Sequence, residues 1–109
     1  MNKYTATGLL AAAVEGKRVL VVSPHGRAVR DAVDEVHRLV PDLTWRRANG
    51  DAQVTLPSGG AIVFVTPSQL RSHSADVVVI EDDRALRVDI LDDLRRVIHV
   101  SEHGEIVRY

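Results

Sequence analysis

The chain has 109 residues, with 14 basic and 15 acidic side chains, a net charge of -1 and a hydrophobic share of 45%. That length predicts one domain over residues 1–109, with a core that buries roughly two-thirds of the unfolded surface. The balanced charge argues against a generic phosphate-backbone binder, whose affinity comes from an excess of Lys and Arg.

The predicted core is aliphatic, because eighteen valines stand against one Trp, one Phe and two Tyr. So few aromatics give little support to a platform on which single-stranded bases stack. With no cysteine there is no disulfide, thiolate zinc site or Cys nucleophile. No apolar run approaches the ~20 residues that span a bilayer. Residues 9–14 are apolar but end at Glu15, too short a stretch for a signal core. A cytoplasmic protein without a membrane partner is the expectation.

In chain order, Thr5 or Thr7 is placed to cap a first helix that carries Leu9, Leu10, Ala13 and Val14 and ends at Gly16. Residues 19–22 form a short apolar run, which predicts a central strand covered on both faces. Ser23 then reads as an N-cap, with Pro24 at the first helical position. Val29, Ala32, Val33, Val36, Leu39 and Val40 keep helical spacing as far as Pro41. Residues 43–47 and 52–56 read as strands joined by the hairpin signal Asn49-Gly50-Asp51. Pro57-Ser58-Gly59-Gly60 turns the chain into a third strand over residues 61–66, completing an antiparallel meander at the edge of the domain. A brief helix starts at Thr66-Pro67, and residues 77–80 form a second central strand. Leu86, Ile90, Leu91, Leu94 and Val97 mark an amphipathic helix, residues 97–100 a strand, and residues 105–109 an extended end. Helices alternating with apolar strands indicate an α/β sheet.

Two strand ends carry the chemistry. Residues 77–80 close on Glu81, Asp82 and Asp83. Carboxylates beyond the carboxyl edge of a parallel strand suit magnesium, so Glu81 and Asp82 are the candidate metal ligands. The competing reading makes Asp82 and Asp83 helix caps. Ser23, His25 and Arg27 leave the first central strand where helix amides and a cation suit a phosphate. Thr66, Ser68 and Gln69 form a similar junction with hydroxyl donors. A cap and solvated first turn explain the loop at residues 23–27 at least as well, and the junction at residues 66–69 alone means only a turn. His99 and His103 lie near Glu102 and Glu105, but strand alternation and an intervening turn disfavour a shared metal geometry. Ser101-Glu102-His103 lacks a nucleophile signature such as G-x-S-x-G.

Taken in order, these pieces resemble the first motor domain of helicases and phage DNA-packaging terminases, a RecA-like P-loop NTPase fold. Residues 19–28 resemble the strand and loop of helicase motif Ia, and residues 61–70 the strand leading into motif Ib. Residues 77–86 resemble the Walker B strand, residues 97–101 lie where motif III would follow, and the meander resembles terminases more than RNA helicases. The similarity runs over about residues 8–101 and rests on the order and spacing of short motifs. No G-x-x-x-x-G-K-[ST] phosphate loop occurs in the sequence. Glu81 stands where the magnesium Asp of the family belongs, and Asp82 where its water-orienting Glu belongs. The exchange moves each carboxylate by about one C–C bond, ~1.5 Å, and a displacement of that order removes about two decades of rate.

The resemblance implies a reduced RecA-like core: a three-layer α/β domain with a mostly parallel sheet and an antiparallel edge meander. Its exposed edge at residues 97–100 would be covered antiparallel by residues 105–109 or used to dimerise. The favoured function is a non-catalytic interaction or regulatory protein, phage-encoded, without a cofactor and bound to a protein partner or to its own copies. The alternative is an accessory domain that binds nucleotide or nucleic acid and completes a composite site in an oligomer. Mg-ATP enters only with that alternative.

Overall fold

The computed structural model describes residues 3–48, 51–72, 74–81 and 105–108. Helix α1 (Lys3–Val14) leads into strand β1 (Arg18–Val22), helix α2 (Gly26–Leu39), and strands β2 (Thr44–Ala48), β3 (Asp51–Thr55) and β4 (Ala61–Val65). A 3₁₀ turn (Pro67–Ser72), strand β5 (Val77–Ile80) and strand β6 (Glu105–Arg108) follow. The six strands form one sheet in the order β2-β3-β4-β1-β5-β6. The sheet is mixed: β4, β1, β5 and β6 run parallel, whereas β2 and β3 join them antiparallel.

The predicted meander and both central strands form within a residue of their expected bounds. Thr5 and Thr7 lie inside α1 and do not cap it, since the helix already begins at Lys3. Gly16 ends the α1 segment as expected, with a φ of 89° that favours glycine. The turn after β3 docks against that helix end. Ser58 Oγ donates to the Ala13 carbonyl at 2.7 Å, and a Cβ at Gly60 would overlap the same carbonyl. Backbone proximity, beyond turn geometry, is what requires glycine there.

The sequence predicts that residues 105–109 fold antiparallel onto a strand at 97–100, or that this edge dimerises. Residues 97–100 lie outside the described residues, and among the described strands β6 runs parallel to β5, pairing Val77 with Glu105 through Ile80 with Arg108. A parallel neighbour extends the ladder that β1 and β5 already share, and it encloses the apolar β5 on its second edge. The predicted strand at 97–100 and helix over 84–96 lie outside the described residues, as do Asp82, His99 and His103.

Both faces of the central strands are buried. Alternation sends Val19, Val21, Ile62, Phe64, Val77 and Val79 to one face, where α1 adds Ala6, Leu9 and Ala13 and α2 adds Val29, Val33 and Val36. The other face buries Leu20, Val22, Val63, Val65, Val78 and Ile80 with Ala75. The meander differs, because Thr44 pairs with Thr55 and Arg46 with Gln53, leaving Thr44, Arg46 and Thr55 exposed. Trp45 ties this edge to the core. It stacks on Phe64 with centroids 6.1 Å apart, meets His37 at 5.2 Å and donates Nε1–H to the Val40 carbonyl.

Candidate strand-end site

The carboxyl ends of β4, β1 and β5 are level, because Val22 pairs with both Val65 and Ile80. The next residue of each strand is therefore Thr66, Ser23 and Glu81, side by side. The ladder continues one step beyond the strands: Ser23 N–H donates to the Val65 carbonyl and Glu81 N–H to the Val22 carbonyl, both at 2.9 Å. Progress from β1 to β4 crosses the sheet one way, and from β4 to β5 the other. Right-handed crossovers then lie on opposite faces. Accordingly α2 buries against one face, whereas Ala75, which leads into β5, buries on the other. The ends of β1 and β4 thus flank a topological switch point, where open α/β sheets form a crevice.

Ser23 departs from the sequence expectation. It does not cap α2, since its amide is committed to Val65 and Pro24 falls before the helix. The cap is His25, in extended conformation, whose Nδ1 accepts from Ala28 N–H at 3.2 Å. An imidazole that accepts through Nδ1 carries its proton on Nε2. Ser23, fully buried, instead donates its hydroxyl to Glu81 Oε2 at 2.9 Å. A hydroxyl–carboxylate bond of this kind is among the stronger neutral–charged contacts.

Thr66, Ser68 and Gln69 satisfy one another. Gln69 Oε1 accepts from Thr66 N–H at 2.9 Å and from the Thr66 hydroxyl at 3.3 Å. The Thr66 and Ser68 hydroxyls lie 3.0 Å apart. This is the Gln half of a capping box, here opening the 3₁₀ turn. Arg27 stands exposed in the first turn of α2. The structure thus brings Ser23 and Glu81 into contact and sets Thr66 beside Ser23, while His25 and Gln69 hold local backbone and Ser68 meets the Thr66 hydroxyl.

Of the two candidate magnesium ligands only Glu81 is among the described residues, and Asp82 lies outside them. Glu81 is held by Ser23 across the strand end, and among the described residues no three His, Asp or Glu side chains group as metal ligands. Sequence reasoning missed the Ser23–Glu81 contact. Its signal is the equal length of the apolar runs 19–22 and 77–80, informative only once the two strands are known to pair in register.

This arrangement is a RecA-like, terminase-like α/β fold. A large terminase from a thermophilic bacteriophage, solved in complex with ADP, superposes with a TM-score of 0.67 at 7% identity, over 95% of this chain and 29% of that one. The same terminase in complex with ATP-gamma-S gives 0.67 over 95% and 28%. The large terminase ATPase domain of Thermus phage P74-26 gives 0.60 at 13% identity, over 95% and 51%. The chain therefore spans between about a quarter and a half of these structures. No family model matches the chain, and no curated protein matches it.

Proposed function

We propose that this chain is a non-catalytic interaction or regulatory protein built on a reduced terminase-like motor fold, phage-encoded and acting in the cytoplasm. It binds a protein partner or its own copies without a nucleotide cofactor. The observation that carries the reading is the Ser23–Glu81 bond. The first carboxylate of the acidic strand end is engaged in joining β1 to β5, in a sequence that holds no phosphate loop. Phosphoryl-transfer sites depend on loop amides and a Lys to cradle the phosphates. In this reading the core is three-layered, with a further layer over the face that holds Leu20, Val63 and Val78.

A second reading is supported by the level ends of β1 and β4 at a switch point and by the nucleotides named for the thermophilic phage's terminase. The chain would then be an accessory domain that binds nucleotide or nucleic acid through Ser23, His25, Arg27, Thr66, Ser68 and Gln69, with Glu81 and Asp82 on magnesium. Calorimetric titration with Mg-ATP and with a short DNA single strand, at low and moderate salt, separates the two. No heat from either ligand is expected. Saturable binding that weakens in Arg27→Ala would replace the first reading with the second.

A further inference from the structure

We infer that the outer edge of β2, which no described strand covers, is a strand-addition site for an extended, acidic segment of a partner protein. This inference rests on the interaction-protein reading and gives it a surface.

Among the described strands β2 and β6 end the sheet. All five residues of β2 pair with β3 in continuous antiparallel register, from Thr44 with Thr55 to Ala48 with Asp51. The strand therefore has no bulge, and it contains no proline. Those are two of the devices by which proteins blunt an edge. An edge without a bulge or proline presents a row of backbone donors and acceptors that an added strand can satisfy, and its arginines restrict which strand that is. Trp45 braces the strand from behind through Phe64, His37 and the Val40 carbonyl. These contacts anchor the edge strand to the core, and an anchored strand loses less conformational freedom on binding.

Charge selects the occupant. Positions 46 and 47 are consecutive arginines, Arg46 is exposed, and among the described residues no ion pair involves it. The antiparallel self-pairing that joins all five residues of two copies sets Arg46 opposite Arg46, and parallel self-pairing sets each Arg opposite itself. Like charges directly opposed destabilise a strand pair, whereas opposite charges stabilise it. A second copy is therefore disfavoured at this edge, and a segment with Glu or Asp at alternate positions is favoured.

The test uses the full chain and its single tryptophan, which lies on the edge strand. The probe is a seven-residue capped peptide alternating Glu and Val, with a Lys/Val counterpart and a version carrying central proline. The Glu/Val peptide is expected to shift Trp45 fluorescence saturably and to slow amide exchange across β2; the other two are expected to do neither. Arg46→Glu, with its fold checked by circular dichroism, is expected to weaken the Glu/Val peptide about tenfold and to gain binding of the Lys/Val peptide. Equal binding of all three peptides, no binding of the Glu/Val peptide, or exchange protection away from β2 would overturn the inference. So would displacement by a DNA single strand, or concentration-dependent dimerisation that protects β2. Failure here with Mg-ATP and DNA also silent leaves the interaction-protein reading standing, whereas heat from Mg-ATP binding removes that reading whatever the peptides do.

Discussion

The carboxyl edge of β4, β1 and β5 and the outer edge of β2 differ in how their polar groups are used. At the carboxyl edge Ser23 serves Glu81, His25 serves Ala28, and Thr66 and Gln69 serve each other. At the β2 edge Thr44 and Arg46 face solvent over a regular ladder. Residue types that suggest a site can be consumed by the scaffold, while a segment with no motif keeps its hydrogen-bonding capacity available. Buried polar groups must find partners, so residues at the ends of buried parallel strands are the first to be recruited by the fold.

The most disruptive way to break the comparison is to remove what joins the two regions. Phe64 is buried in the parallel core and stacks on Trp45. Phe64→Ala is expected to cost about 3–5 kcal/mol in urea unfolding and to shift Trp45 emission, because both regions lose their common support. Ser23→Ala isolates the carboxyl edge. It takes a hydroxyl donor from a charged acceptor and is expected to cost about 1–3 kcal/mol, without a compensating magnesium-dependent rise in melting temperature. A clear magnesium-dependent rise in the wild type, lost in Ser23→Ala, would restore the strand end as a cation site. His25→Ala removes the α2 cap at a cost of about 1 kcal/mol, which His25→Asn should recover in the same unfolding experiment. Arg46→Glu lies at the small end. Stability should change by no more than about 0.5 kcal/mol, so an effect confined to peptide binding would sharpen the contrast between a structural edge and a recognition edge.

Patterning alone identified the α/β class, the meander, both buried strands and the apolar face of α2. Periodicity and turn residues are local properties, and Val29, Val33 and Val36 recur at helical spacing whatever they pack against. The resemblance to terminases rested instead on the order and spacing of short motifs along the chain. Pairing was not legible. Whether residues 105–108 run parallel or antiparallel, and beside which strand, depends on the crossover path and on which edge needs a neighbour. The direction of Ser23 was equally hidden. Ser-Pro before a helix reads as a cap, but a ladder bond to Val65 holds that serine on the sheet and moves capping to His25. Residue spacing along the chain therefore determined which segments form helices and strands, because those preferences act within a few residues. Strand order and register decided which polar groups meet, because Ser23 and Glu81 are 58 residues apart in sequence and become neighbours only when β1 and β5 align.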